Sequence, residues 1–391
     1  MSTANRQVFF EAPDFGFGPI STTIELVSHL TEEFNCQIIS SGNSLALAKA
    51  SLAKIAMHEV ETFNSNGWVF VKNVIPPSSV IISNTNLPFA AWAIEQGHHV
   101  GVIDTLFWMW DSLPSELEQC LFYAAQYYFG HSKGHSNKYL NTLPVKMTRP
   151  FINETSWTDT CPNKRHGSVL ISFGGMKVPI DPNLSKEYVR WILDNILPIL
   201  FDSNQVTLVE IVGGMPDLHL VIQEKWRDDF RVQILGFLTP LAYRERLKSA
   251  QFVFISPGVN SIYETFTAKF APFFLPAFSM SMIHQAYDLV RSLGYQHIAQ
   301  WPWVDEVRKQ FIGCDEMTGV SIVSDTIRKT IKEGKNTATF LKAPIENYLS
   351  SIDSPIWSSQ ANNLNSVLQS LPRCEDIVRG ELHNFLNLRG Q

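Results

Sequence analysis

Ile234–Glu264 reads ILGFLTPLAYRERLKSAQFVFISPGVNSIYE. An apolar run ends at Gly236, and the spacing then predicts a helix over Pro240–Ala250. Phe252–Ser256 is a second apolar run, and Ser256-Pro257-Gly258 turns it into a helix predicted over Ser261–Lys269. Strand, helix, strand and helix thus follow one another, with a glycine at each strand–helix joint. Strands that stay apolar without alternation are buried on both faces, as in a parallel sheet covered by helices.

The same rhythm extends outward. Ser168–Ser172, Thr207–Val212, Val232–Leu235 and Pro272–Leu275 read as further strands, and Lys186–Leu200 and Ile283–Leu293 as helices. Toward the N-terminus, strands are predicted at Gln7–Ala12, Cys36–Ser40, Val80–Ser83 and Val100–Ile103, with helices at Ile20–Phe34 and Leu87–Gln96. The polar stretch from His131 to Gly167, rich in Pro, Asn and Thr, reads as a connection between two α/β halves. The expected organisation is residues 1–150, residues 151–350 and a helical tail over 351–391 that packs back on the first half.

Composition narrows the function classes. Only 17% of the 391 residues are charged and 12% are aromatic, which excludes a disordered chain. A net charge of −6 argues against broad nucleic-acid binding. The N-terminus MSTANRQVFFEAPDFG lacks a basic and apolar leader, and no window offers the roughly 20 apolar residues of a membrane span. Five scattered cysteines without a C-x-x-C pair read as reduced thiols. The expectation is a cytoplasmic protein without a bound metal. His131 and His135, spaced i, i+4, are too weak a signal to change that.

Open α/β sheets bind ligands beyond the carboxyl ends of their strands. Four segments fall there. Asp14–Pro19 follows the first strand, and Ser172-Phe173-Gly174-Gly175 the first strand of the second half. In Ser256–Glu264, Asn260 or Ser261 opens a helix whose N–H groups can take a diphosphate without a lysine. Glycine at 258 is expected to free the backbone, and Glu264 lies one turn further on the same rim. On the fourth, Gln285 and Asp288 share a helix face beside His284 and can bond sugar hydroxyls.

Taken together, Val169–Gly175, Ile234–Glu264 and Leu275–Gly294 resemble the nucleotide-sugar-binding domain of GT-B glycosyltransferases. The branch most similar holds the peptidoglycan-precursor N-acetylglucosaminyltransferase and the macrolide and UDP-glucuronosyl enzymes. The resemblance implies two Rossmann-like domains facing across a cleft. It implies that Gly236 and Phe237 hold the base by backbone contacts, that the turn at Gly258–Ser261 receives the diphosphate, that Glu264 binds ribose, and that residues near Gln285 face the sugar. It implies no cofactor or metal, the nucleotide sugar being a co-substrate.

The first half matches only in outline, because the position of the usual base histidine falls on Pro19. Inverting transfer needs a base for the acceptor hydroxyl. Asp14, Asp104 and Asp111 are the candidates by position. Phe17, Gly18, Phe107, Trp108 and Trp110 are the expected acceptor contacts, since aromatic rings stack on sugars and flat aglycones. The leading reading is transfer from a UDP- or dTDP-sugar to a small, natural-product-like acceptor. A nucleotide-sugar epimerase or hydrolase, or a binding protein without turnover, are the alternatives that the missing histidine leaves open.

Overall fold

The computed structural model describes residues 7–130, 142–152, 164–177, 181–215, 217–268, 270–334, 339–350 and 364–389. The chain divides into two compact units, Met1–Asn153 with Ser366–Gln391, and Glu154–Asn365.

The first unit is built on seven strands: β1 (Gln7–Glu11), β2 (Asn35–Ser40), β3 (Ala56–Glu59), β4 (Val80–Asn84), β5 (His99–Asp104), β6 (Phe122–Gln126) and β7 (Val145–Thr148). Their order is β3-β2-β1-β4-β5-β6-β7, with every neighbouring pair parallel. Helices α1 (Gly18–Leu30), α2 (Gly42–Ser51), α3 (Ser65–Val71) and α4 (Leu87–Glu95) join the strands. The chain runs outward from β1 and returns to its other side with β4. The topological switch point therefore lies between β1 and β4.

The apolar strand runs follow from this layering. Val8 and Phe10 enter one core and Phe9 the other; Ile38 and Ile39, and Ile82 and Ile81, divide in the same way. The last helix, Cys374–Arg389, puts Cys374, Val378 and Leu382 into the first core beside Ile20, Ile24 and Val27 of α1. That i, i+4 stripe supplies the attachment. The half-exposed bonds of Arg379 and His383 to Glu33, at 2.8 and 2.7 Å, are open to solvent screening and add little to it.

The second unit holds β8 (Arg165–Ser172), β9 (Leu208–Val212), β10 (Val232–Gly236), β11 (Ala250–Ile255) and β12 (Phe273–Phe274). All pair in parallel in the order β10-β9-β8-β11-β12, so the switch point lies between β8 and β11. Its longer helices are α5 (Pro182–Asp202), α6 (Pro240–Ser249), α7 (Val259–Thr267), α8 (Met280–Leu293), α9 (Val304–Gln310), α10 (Glu316–Glu333) and α11 (Thr339–Ser350).

Several elements lie beyond the strands and helices read from the sequence. β7 lies inside the stretch read as a connection; its four residues, mostly half-buried, pair with β6 alone and so carry no long apolar run. β6 buries all five of its residues. α2 and β3 fill the gap after β2, and α2 buries only Ser44, Leu45, Leu47 and Ala48, too few for an apolar stripe. His131 and His135 lie outside the described residues. Among the described residues no cluster of three His, Cys, Asp or Glu side chains could hold a metal, and no helix is long and apolar enough to cross a membrane.

Candidate functional site

At the β8–β11 switch point the loops after β8, β9, β10 and β11 are knit into one rim by backbone bonds. Ser256 N–H donates to Ser172 O (3.0 Å), Phe173 N–H to Val212 O (3.1 Å), Gly213 N–H to Gly236 O (3.0 Å) and Gly214 N–H to Gly174 O (2.7 Å). Gly174 and Gly236 have φ of +69° and +67°, conformations open to glycine. Phe237, next in the chain, is 45% exposed on the rim.

α7 begins differently from its neighbours. Side chains cap α5, α6, α8 and α10: Asp181 accepts from Leu184 N–H, Thr239 from Ala242, Ser279 from Met282 and Asp315 from Thr318. α7 starts at Gly258 with no side-chain cap. That start is the positive end of the helix dipole, where an anion is favoured. Gly258 itself has φ −77° and ψ 149°, so the expected release of the backbone is corrected. What glycine supplies is space: a Cβ there would meet only Met282 Cε, at 3.8 Å.

Two buried polar atoms point to a ligand at this place. Ser256, two residues before Gly258, is 4% exposed, and its Oγ has no hydrogen-bond partner. Gln285 is 1% exposed, and its Oε1 has none. Gln285 stands three residues after Met282 on α8, on the face turned to Gly258. Buried polar atoms are normally paired, so each marks a place where a further group fits.

Asn260, Ser261 and Glu264 are half-buried along α7. Tyr243 of α6, absent from the sequence reading, joins the site: its hydroxyl hydrogen-bonds Ser172. Burial first, then the Glu264 carboxylate, push that hydroxyl above its ordinary range. The only signal for it was a lone aromatic in the charged helix LAYRERLKS. His284 and Asp288 are half-buried, and the His284 ring lies 5.3 Å from that of Phe311. Gly175 is half-buried beside Gly174.

At the β1–β4 switch point of the first unit, the expected residues are held by neighbouring groups. Asp14 is buried, and its Oδ1 accepts the Ser44 N–H (3.0 Å) in the first turn of α2. A Cβ on Gly42, at φ +51°, would collide with that carboxylate. Asp14 therefore caps a helix rather than standing ready as a base, and Asp14→Ala should cost about 1 kcal/mol in chemical denaturation.

Asp104 is fully buried and accepts from Leu106 N–H (2.8 Å), Trp110 Nε1–H (2.8 Å) and the Tyr123 hydroxyl (2.5 Å). Burial pushes its carboxyl up to about 6 against those three bonds. Phe107 and Trp108 are core side chains. A 3-10 turn over Phe107–Met109 folds them back, Phe107 edge-on to Tyr123 and Trp108 stacked on Tyr128 at 3.9 Å. Trp110 is half-buried by its bond to Asp104, and Asp111 is exposed. Phe17 is the residue before α1, and Gly18 its first residue; both are half-buried. Phe15 stacks on Phe63 nearby, with centroids 5.5 Å apart.

The residues that sequence reasoning missed here centre on Glu11. This carboxyl is fully buried at the end of β1. Thr62 Oγ1–H (2.5 Å) and Asn86 Nδ2–H (2.9 Å) donate to Oε1, and Ser83 Oγ–H (2.7 Å) to Oε2. Asn84 donates from Nδ2 to Pro19 O (2.7 Å), tying β4 to the first turn of α1. Between them Thr85 has φ +56°, a conformation that costs a β-branched residue about 1–3 kcal/mol.

Two parallel α/β units with these switch points form the GT-B glycosyltransferase fold, and known structures bear this out. The chain is similar to the glycotransferase of kitacinnamycin, with 10% identity over 96% of this chain and 99% of that one, at a TM-score of 0.56. It is similar to the spinosyn rhamnosyltransferase SpnG, with 10% identity over 97% and 100% and a TM-score of 0.53. It is also similar to S. aureus MnaA, solved with UDP, with 12% identity over 84% and 96% and a TM-score of 0.53. No protein-family model and no curated protein sequence matches the chain.

Proposed function

We propose that the protein is a glycosyltransferase that moves a sugar from a nucleoside diphosphate sugar, UDP- or dTDP-linked, to a small-molecule acceptor. One observation carries this reading: the uncapped start of α7 with the unpartnered Ser256 Oγ and Gln285 Oε1 beside it. The diphosphate would sit at the start of α7, along Gly258, Asn260 and Ser261, where the helix dipole offsets the charge that grows as it leaves. Glu264 would accept from ribose hydroxyls, the base would lie along Gly236–Phe237, and Gln285 and Asp288 would face the sugar. Ser172, Gly174 and Gly175 would line the same pocket. The names of two similar structures, a glycotransferase and a rhamnosyltransferase, and the UDP in the third support the donor class.

The acceptor would be held by the first unit, near Phe17 and Gly18. Of the candidate bases, Asp111 is the one with an exposed carboxylate. The nucleotide sugar is consumed as co-substrate, no cofactor or metal is needed, and the reaction would take place in the cytoplasm.

A thermal-shift screen of nucleoside diphosphates and their sugars tests the reading. A saturating ligand at 100 times its Kd adds about 2.7 kcal/mol to the folded state, a rise of several degrees. Glu264→Ala should weaken UDP binding about tenfold or more, the worth of a bond to a charged group. A flat response to every nucleotide would overturn the proposal.

A further inference from the structure

Glu11 sits where the loop after β3, the end of β4 and the turn into α4 meet, and it holds all three. Thr62 comes from the loop after β3, Ser83 from the end of β4, and Asn86 from the turn into α4. Asn86 also donates to Thr62 O (3.1 Å), so the loops are tied to each other as well as to the carboxyl. Within this tie lies the strained Thr85, whose Oγ1 donates to Asn84 Oδ1 (3.0 Å) and accepts the Thr105 N–H (3.2 Å).

The network can satisfy Glu11 in either protonation state. Ionised, both oxygens receive donors. Protonated, Oε2–H can donate to Ser83 Oγ, because Ser83 has a second acceptor in Asn86 O at 3.3 Å. The groups that act on the carboxyl are all uncharged: Thr62, Asn86, Ser83 and the Asn84 backbone.

Titratable groups on the surrounding elements face elsewhere. Asp14 is turned to Ser44, Glu61 to Ser41 and the Phe63 N–H, and His58 to Gln37. Asp104 is turned to Tyr123 and Trp110, and Glu25 of α1 to His29. Glu95 is exposed at the far end of α4. A carboxylate buried without a cation pays for desolvation, so opening the network to water is favoured once the group ionises.

We propose that Glu11 is a proton-dependent clamp on the Ser83–Asn86 turn: protonated, it holds this wall of the β1–β4 crevice closed, and ionised, it lets the wall open. Burial raises the carboxyl to about 7 from 4.5. The folded value lies above the open value, so the clamp is full below the open value and is lost as pH rises toward the folded one.

Hydrogen exchange of the amides of residues 83–86, corrected for the intrinsic pH dependence, tests this on the full chain. Protection in the wild type should fall roughly tenfold per pH unit between about pH 5 and 7, then level off. Glu11→Gln should show a flat profile. Should that variant fail to fold, Thr62→Val, which removes one donor to the carboxylate, should move the levelling-off to higher pH. Wild-type protection independent of pH, the same slope in Glu11→Gln, or an unmoved profile in Thr62→Val would overturn the clamp.

Discussion

Gly258→Asp is expected to raise the melting temperature and abolish UDP binding. Gly258 already has the extended backbone of an N-cap residue, and α7 has no side chain to fill that role. An aspartate there would accept from the first N–H groups and complement the dipole, a gain of about 0.5–1 kcal/mol. The same carboxylate would occupy the place proposed for the diphosphate and set a like charge beside it. At about 4 Å and an effective dielectric of about 20, one such pair costs about 4 kcal/mol, enough for a loss of more than a hundredfold. Thermal melting and calorimetric titration with UDP read the two effects separately. A stabilised protein that still binds UDP would mean that the start of α7 is an ordinary turn.

The second large effect is expected at Asp104, and it is one of stability. Asp104→Ala strands the Leu106 N–H, the Trp110 Nε1–H and the Tyr123 hydroxyl. At about 1–3 kcal/mol for each buried group left unpaired, less what is regained by not burying a carboxylate, the cost is about 3 kcal/mol. Asp104→Asn keeps an acceptor oxygen and should cost less than about 1 kcal/mol. The folded carboxyl titrates near 6, above its ordinary 3.8, so the wild type loses stability as pH rises from about 4 to 6. Asp104→Asn should lose the Asp104 share of that slope and keep the share that Glu11 contributes. Urea denaturation at pH 4.5 and 7 reads both. Wild-type stability in Asp104→Ala would restore Asp104 as a candidate base.

What the sequence disclosed, and what it hid, follows from the range of the interactions. Gly258, Ser261 and Glu264 lie within seven residues, and a strand-to-helix joint announces them locally. Gln285 was legible because helix spacing pairs it with Asp288. Asp14 and Asp104 stand at the strand ends as expected, but what they do depends on partners that only the fold brings in. Ser44 lies 30 residues from Asp14, and Tyr123 lies 19 from Asp104.

Glu11 stands near the end of the strand predicted over Gln7–Ala12, and nothing local marks its carboxyl as a meeting point. Its partners Thr62, Ser83 and Asn86 lie 51, 72 and 75 residues away. The tryptophans of Phe107–Trp110 were placed on the ligand rim because β5 ends just before them. The 3-10 turn sends Phe107 and Trp108 back to the core, so much of the aromatic content there is packing.

Calorimetric titration of the wild-type chain with UDP, UMP and uridine tests the central claim most directly. If the start of α7 is a diphosphate site, UDP should bind at one site per chain, at least tenfold more tightly than UMP, with uridine weaker still. Equal affinities for the three, or no heat with UDP, would contradict it.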